Sequence, residues 1–177
     1  MSIKDKNIVL IGYRATGKTS VGKIIAKKLN RPFVDSDHAV EKKAGQSISA
    51  MVEARGWNAF RTKEKNILLE LTKKPGQIIA CGGGAILHQD IWAGIKENSF
   101  VVWLKADIET IYSRLAADKA TSSQRPSLSG QDIYQEVAEV LKERTPLYRH
   151  GCHLELDATG SMEDIVDKIL TRFQGKS

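Results

Sequence analysis

The chain is short of the residues that staple small secreted folds or bind structural metals. Its only cysteines, Cys81 and Cys152, lie too far apart for a C-x-x-C pair, which excludes a disulfide framework and gives no zinc spacing. Cys81 reads instead as a reduced, buried small residue. The four histidines, His38, His88, His150 and His153, show no metal-ligand spacing either, and are read as background. No run of 18 apolar residues is present, so no membrane span is expected. The polar start, Met1 to Lys6, lacks the plan of a signal or transit peptide, and the cytoplasm is the expected compartment. Aromatics are scarce at 6% and never interleave with basic residues, which argues against a stacking platform for nucleic acid. The net charge of +6 is scattered in pairs such as Lys27-Lys28, Lys42-Lys43 and Lys73-Lys74. Scattered cations suit small anionic partners better than a polyanion.

What is present is a phosphate cradle. Gly12-Tyr13-Arg14-Ala15-Thr16-Gly17-Lys18-Thr19 is a complete G-x-x-x-x-G-K-[ST] element between an apolar run, Ile8 to Ile11, and a helical pattern from Lys18. Gly12 and Gly17 let the backbone curl so that the amides of Ala15, Thr16 and Gly17 turn inward. The following helix, through Ser20, adds its positive end, Lys18 reaches the outer phosphates, and Thr19 is a ligand for Mg2+. The expected ligand is ATP with Mg2+. The dinucleotide pattern G-x-G-x-x-G is absent at this turn.

A length of 177 residues, 41% hydrophobic and 27% charged, fits one soluble globular domain. The pattern alternates strand and helix throughout. Strands are expected at Asn7 to Ile11, Phe33-Val34, Gln77 to Cys81, Phe100 to Leu104 and Cys152 to Leu156. Helices are expected from Lys18 to about Asn30, from His38 to Lys74 with breaks near Gly45 and Gly56, and from His88 to Glu97. Three more follow: from Asp107 to Ala117 with Ile108, Ile111, Tyr112 and Leu115 inward, from Gln131 to an end set by Pro146, and a last one capped by Ser161. The expected architecture is a three-layer α/β/α sandwich around a five-stranded parallel sheet. Within it, residues 36–74 form a substrate-binding subdomain, and the small, polar stretch 116–130 forms a lid carrying Arg125. Nothing demands a partner chain, so a monomer is expected.

Phosphoryl transfer calls for positioning and positive charge more than covalent chemistry. Asp35, at the end of the second strand, joins Thr19 as a metal candidate. Asp37, two residues on and on the same side if the chain stays extended, is the candidate base for an acceptor hydroxyl. Lys18 and Arg125 supply charge to the transferring group. Gly82-Gly83-Gly84 at the end of the third strand suggests backbone that approaches a ligand closely.

Taken together with these, Phe60-Arg61-x-x-Glu64, Arg125-Pro126 and Glu143-Arg144-Thr145-Pro146-Leu147-Tyr148 resemble shikimate kinases in order and spacing, from Ile8 to Tyr148. The resemblance implies a P-loop kinase fold of the nucleoside monophosphate kinase type and ATP-dependent phosphorylation of the shikimate 3-hydroxyl. It implies that Asp37, Arg61, Gly83 and Arg144 bind shikimate, that Arg125 touches ATP, that Glu64 orients an active-site arginine, and that Arg114 lies near adenine. Three positions depart from the family pattern: Trp57 where a glutamate is usual, Ser127 in the lid, and Arg14-Ala15 in the loop. The alternatives are a related kinase for another hydroxylated acid, such as gluconate, and a nucleotide-binding module without turnover.

Overall fold

The computed structural model describes residues 5–117 and 132–175. In order these form β1 (Asn7–Ile11), α1 (Lys18–Leu29), β2 (Phe33–Asp35), α2 (Ser36–Ala44), α3 (Ile48–Thr72) and β3 (Ile78–Ala80). A 3-10 turn, Ala85–Leu87, leads to α4 (Gln89–Asn98), β4 (Ser99–Lys105), α5 (Ile108–Ala117), α6 (Ile133–Gly151), β5 (Leu154–Asp157) and α7 (Met162–Phe173). The five strands make one parallel sheet in the order β2-β3-β1-β4-β5.

Central β1 is apolar apart from Asn7 because both of its faces are covered. Its side chains alternate between two cores. Ile8 and Leu10 meet Val21 and Ile25 of α1 and Ile165, Val166 and Ile169 of α7. Val9 and Ile11 face the other way, toward Leu68 of α3, Trp92 and Ile95 of α4 and Tyr148 of α6. The expected three layers and parallel five-stranded sheet are therefore as built. A separate cluster of Val40, Ile48, Met51, Phe60 and Ile67 holds α2 to α3, so this part of the chain has a small core of its own.

Three local expectations need correction. Pro146 does not end its helix: α6 runs on to Gly151. Proline removes one backbone donor, but Tyr148 beyond it is buried against Trp103, with ring centroids 5.6 Å apart, so packing carries the helix past the gap. Tyr112, expected inward, is exposed on α5 and packs edge-on against Tyr134. The chain also does not stay extended through Asp37. It turns into α2 at Ser36, with Asp35 as the N-cap whose Oδ1 accepts from the Asp37 and His38 amides. The break at Gly56 is real: its φ of 76° and ψ of 170° interrupt α3, a backbone shape that glycine adopts at least cost. Residues 116 and 117 of the expected lid close α5, and the rest of it, with Arg125, Pro126 and Ser127, lies outside the described residues.

Candidate active site

The phosphate loop follows β1 directly. Gly12 has φ 140° and Gly17, the N-cap of α1, φ 88°. A side chain at Gly12 would also collide with the Leu104 carbonyl, so this position is closed to larger residues by space as well as by φ. Ala15 takes φ 62° without being glycine, a left-handed shape that costs an L-residue about 1–2 kcal/mol. The loop is braced from within by Thr16 Oγ1, which donates to the Tyr13 carbonyl at 2.8 Å. Lys18 Nζ donates to the carbonyls of Gly12 at 2.9 Å and Tyr13 at 2.6 Å. Arg114 braces it from outside: Nη1 donates to the Ala15 carbonyl at 3.1 Å and Nη2 to that of Ala158 at 2.9 Å. Ser20 is exposed on the first turn of α1.

A cavity of about 640 Å³ opens in front of this loop. Lys18, Thr19, Asp35, Asp37, Gly82 and Gly83 line it, with Glu41 and the segment Ser47 to Ser49 on the subdomain side. Thr19 Oγ1 donates to Asp35 Oδ2 at 3.0 Å, so Asp35 serves the loop through one oxygen and caps α2 through the other. One hydroxyl and one carboxylate fit Mg2+, which keeps most of its shell as water and phosphate oxygens. No group of three or more His, Cys, Asp or Glu able to cage a metal occurs among the described residues.

The second wall begins at the glycine run. Gly82 donates its N–H to the Oγ of fully buried Ser36 at 2.9 Å. Side chains explain the glycines better than a donated row of amides does. A Cβ on Gly82 would strike Asp37 and lie 3.0 Å from Glu64 Oε1, and one on Gly84 would overlap the Arg61 guanidinium, whereas one on Gly83 would meet nothing closer than Arg14 N at 3.5 Å. The Gly83 carbonyl accepts from Arg144 Nη1 at 3.0 Å and from Tyr148 Oη at 2.5 Å.

Arg61 Nη1 donates to Glu64 Oε2 at 2.6 Å, and its Cζ lies 5.1 Å from the Phe60 ring centroid and 5.5 Å from that of Trp57. Trp57 thus packs against a site arginine. Glu64 is 1% exposed and also meets His88 Nε2 at 3.0 Å. Asp37, Arg61, Glu64, Gly83 and Arg144 are therefore brought together. Sequence reading treated His88 as background and missed Glu41 and Ser47 to Ser49; no spacing signal marks any of them, because only the docking of α2 and α3 puts them here. Burial pushes the Cys81 thiol and the Tyr148 phenol each up to about 12. It also raises Tyr13, against the opposing pull of the Arg14 cation. Cys81 is thus an inert thiol in the wall.

A glycine-rich loop joining β1 to α1 on a β2-β3-β1-β4-β5 parallel sheet defines a P-loop kinase fold. A family model described as Shikimate kinase matches residues 14–174. The chain is 41% identical to the shikimate kinase of Syntrophus aciditrophicus (strain SB), an alignment covering 97% of this chain and 93% of that one. The solved shikimate kinase of Acinetobacter baumannii in complex with shikimate superposes with a TM-score of 0.89 at 35% identity, covering 97% and 94% of the two chains. A gluconokinase from Sinorhizobium meliloti 1021, at 16% identity and a TM-score of 0.61 over 97% and 93%, shares the fold alone. The chain belongs to the shikimate kinase family.

Proposed function

We propose that this protein transfers the γ-phosphoryl group of ATP to the 3-hydroxyl of shikimate. The observation that carries the reading is the shared cavity: Asp37 lies on the same bay as Lys18 and Thr19, beside Gly83, whose carbonyl is held by buried Arg144, and near half-buried Arg61 on Glu64. Lys18 exchanges its two loop carbonyls for oxygens of the terminal phosphates, and Thr19 and Asp35 hold Mg2+. Mg2+ held there would neutralise charge on the phosphates. Arg61 and Arg144 bind the acceptor carboxylate, for which two-pronged guanidinium contacts are suited. Asp37 accepts the proton of the acceptor hydroxyl as its oxygen bonds to phosphorus, and the bond from phosphorus to the bridging oxygen breaks to leave ADP. Arg125 joins the transferring group from the lid, residues 116–130. The subdomain at 36–74 holds the acceptor, and one chain in the cytoplasm is the working unit.

The test is shikimate-dependent ADP release beside a panel including gluconate. Arg61→Ala and Arg144→Ala are expected to abolish turnover while nucleotide affinity stays within about threefold, and Asp37→Asn to lower kcat by about 10²–10⁴. Equal loss of ATP binding in the arginine variants, or faster turnover of gluconate, contradicts the reading.

A further inference from the structure

One helix grips both walls of the cavity. The buried face of α6 includes Glu136, Val137, Val140, Arg144 and Tyr148. Its later residues, Arg144 and Tyr148, both hold the Gly83 carbonyl. Its earlier residues hold the phosphate loop: Val137 and Val140 share a buried cluster with Tyr13, and Glu136 Oε1 accepts from Arg14 Nη2 at 2.9 Å. Glu136 and Arg144 lie eight residues apart, about 12 Å along the helix axis, so α6 is a strut between the two walls.

Arg14 is where those walls meet. Its backbone N lies 3.5 Å from the position that a Cβ on Gly83 would take, and its side chain lines the cavity. The guanidinium lies 5.6 Å from the Tyr13 ring centroid. Its Nε is buried without a hydrogen-bond partner among the described residues, and its Nη2 donates to Glu136. Glu136 is 1% exposed and is not among the residues that line the cavity. A carboxylate taken out of water in this way is kept for its partner, because burial without one is costly.

We propose that Glu136 is a positioning residue: through Arg14 it fixes the acceptor-facing edge of the phosphate loop against Gly83, and so sets the alignment of the phosphoryl donor with the acceptor. This rests on the reading of the cavity as a kinase site. Each substrate binds mainly to its own wall, so losing the strut leaves both affinities nearly intact and slows the transfer, where a misplacement of about 1 Å costs on the order of 10²-fold.

The experiment compares Glu136→Gln and Glu136→Leu with the unaltered protein, measuring kcat, both KM values and thermal midpoint. Glu136→Gln keeps an oxygen for Arg14 and is expected to retain kcat within about threefold. Glu136→Leu keeps the volume without that oxygen and is expected to lose at least tenfold in kcat, with each KM changed less than threefold. A merely structural role lowers the thermal midpoint of both variants and leaves the kcat of the folded enzyme alone; that result overturns the proposal, as does equal kcat in the two variants. If the unaltered protein turns over no shikimate, the functional reading fails on its own. The same ordering is then read in the rate of acceptor-independent ATP hydrolysis, where equal rates overturn the proposal and the graded loss supports it.

Discussion

Replacing Gly84 by alanine separates binding from folding at this site. The backbone there, at φ −94° and ψ −4°, suits any residue, so alanine brings no dihedral strain. Space is the whole effect. The new methyl group would overlap the Arg61 guanidinium, which has to retreat by roughly 1.5 Å to restore van der Waals contact. The obstacle is the far end of a flexible side chain rather than backbone, so the fold gives way there at small cost. What gives way is Arg61, the group proposed above to bind the acceptor carboxylate, which Glu64 and the Phe60 and Trp57 rings hold in place. A charge-assisted contact of this kind is worth about 1.5–3 kcal/mol, which is roughly 10–150-fold in affinity. The expected outcome in a coupled ADP-release assay is therefore a rise of that size in KM for shikimate. KM for ATP should stay within about threefold and the thermal midpoint within a few degrees. Gly83→Ala, whose Cβ meets only ordinary contacts, should raise KM far less. If Gly83→Ala proves as damaging as Gly84→Ala, or if Gly84→Ala leaves KM unchanged, then reserved space for Arg61 is not the reason for the glycine run.

Three further outcomes follow from single groups. Ala15→Gly removes a left-handed alanine and should raise the unfolding free energy in urea by about 1 kcal/mol, with no gain refuting the strain. Ser36→Ala leaves the buried Gly82 N–H without its acceptor and should destabilise by about 1–3 kcal/mol in the same assay, so a neutral result would show that another acceptor takes over. Burial raises Cys81 from 9.0 and Tyr148 from 10.0, each to about 12. The unfolded chain therefore ionises first: the stability due to these groups is intact below about pH 9 and is lost as pH rises toward 12. Cys81→Ala should flatten part of that decline in denaturation curves taken from pH 8 to 11, and an unchanged slope would refute the Cys81 share.

Much of the fold was legible because two signals are local. Alternate burial of β1 on both faces leaves an unbroken apolar run, and the loop glycines must sit where the chain curls, so strand, cradle and helix could be located without any contact map. Asp107 and Ser161 cap α5 and α7 through the amides of Thr110 and Asp164 as their side-chain chemistry dictates. Local rules misled where packing outweighed them. Pro146 reads as a stop, yet burial of Tyr148 continues the helix; Tyr112 fits an inward stripe, yet it lies exposed beside Tyr134.

The sequence by itself determined the phosphate-loop motif, its place between a strand and a helix, and the parallel sheet, since these follow from neighbours a few positions apart. Only tertiary structure decided what the glycine run is for. Its space is taken by Asp37, Glu64 and Arg61 from α2 and α3, and its central carbonyl by Arg144 and Tyr148 from α6. It also brought His88 to Glu64 and Glu136 to Arg14, 122 residues apart in the chain. Such pairs leave no trace in spacing, because their proximity is set by which faces of separate helices are driven onto one sheet to leave water.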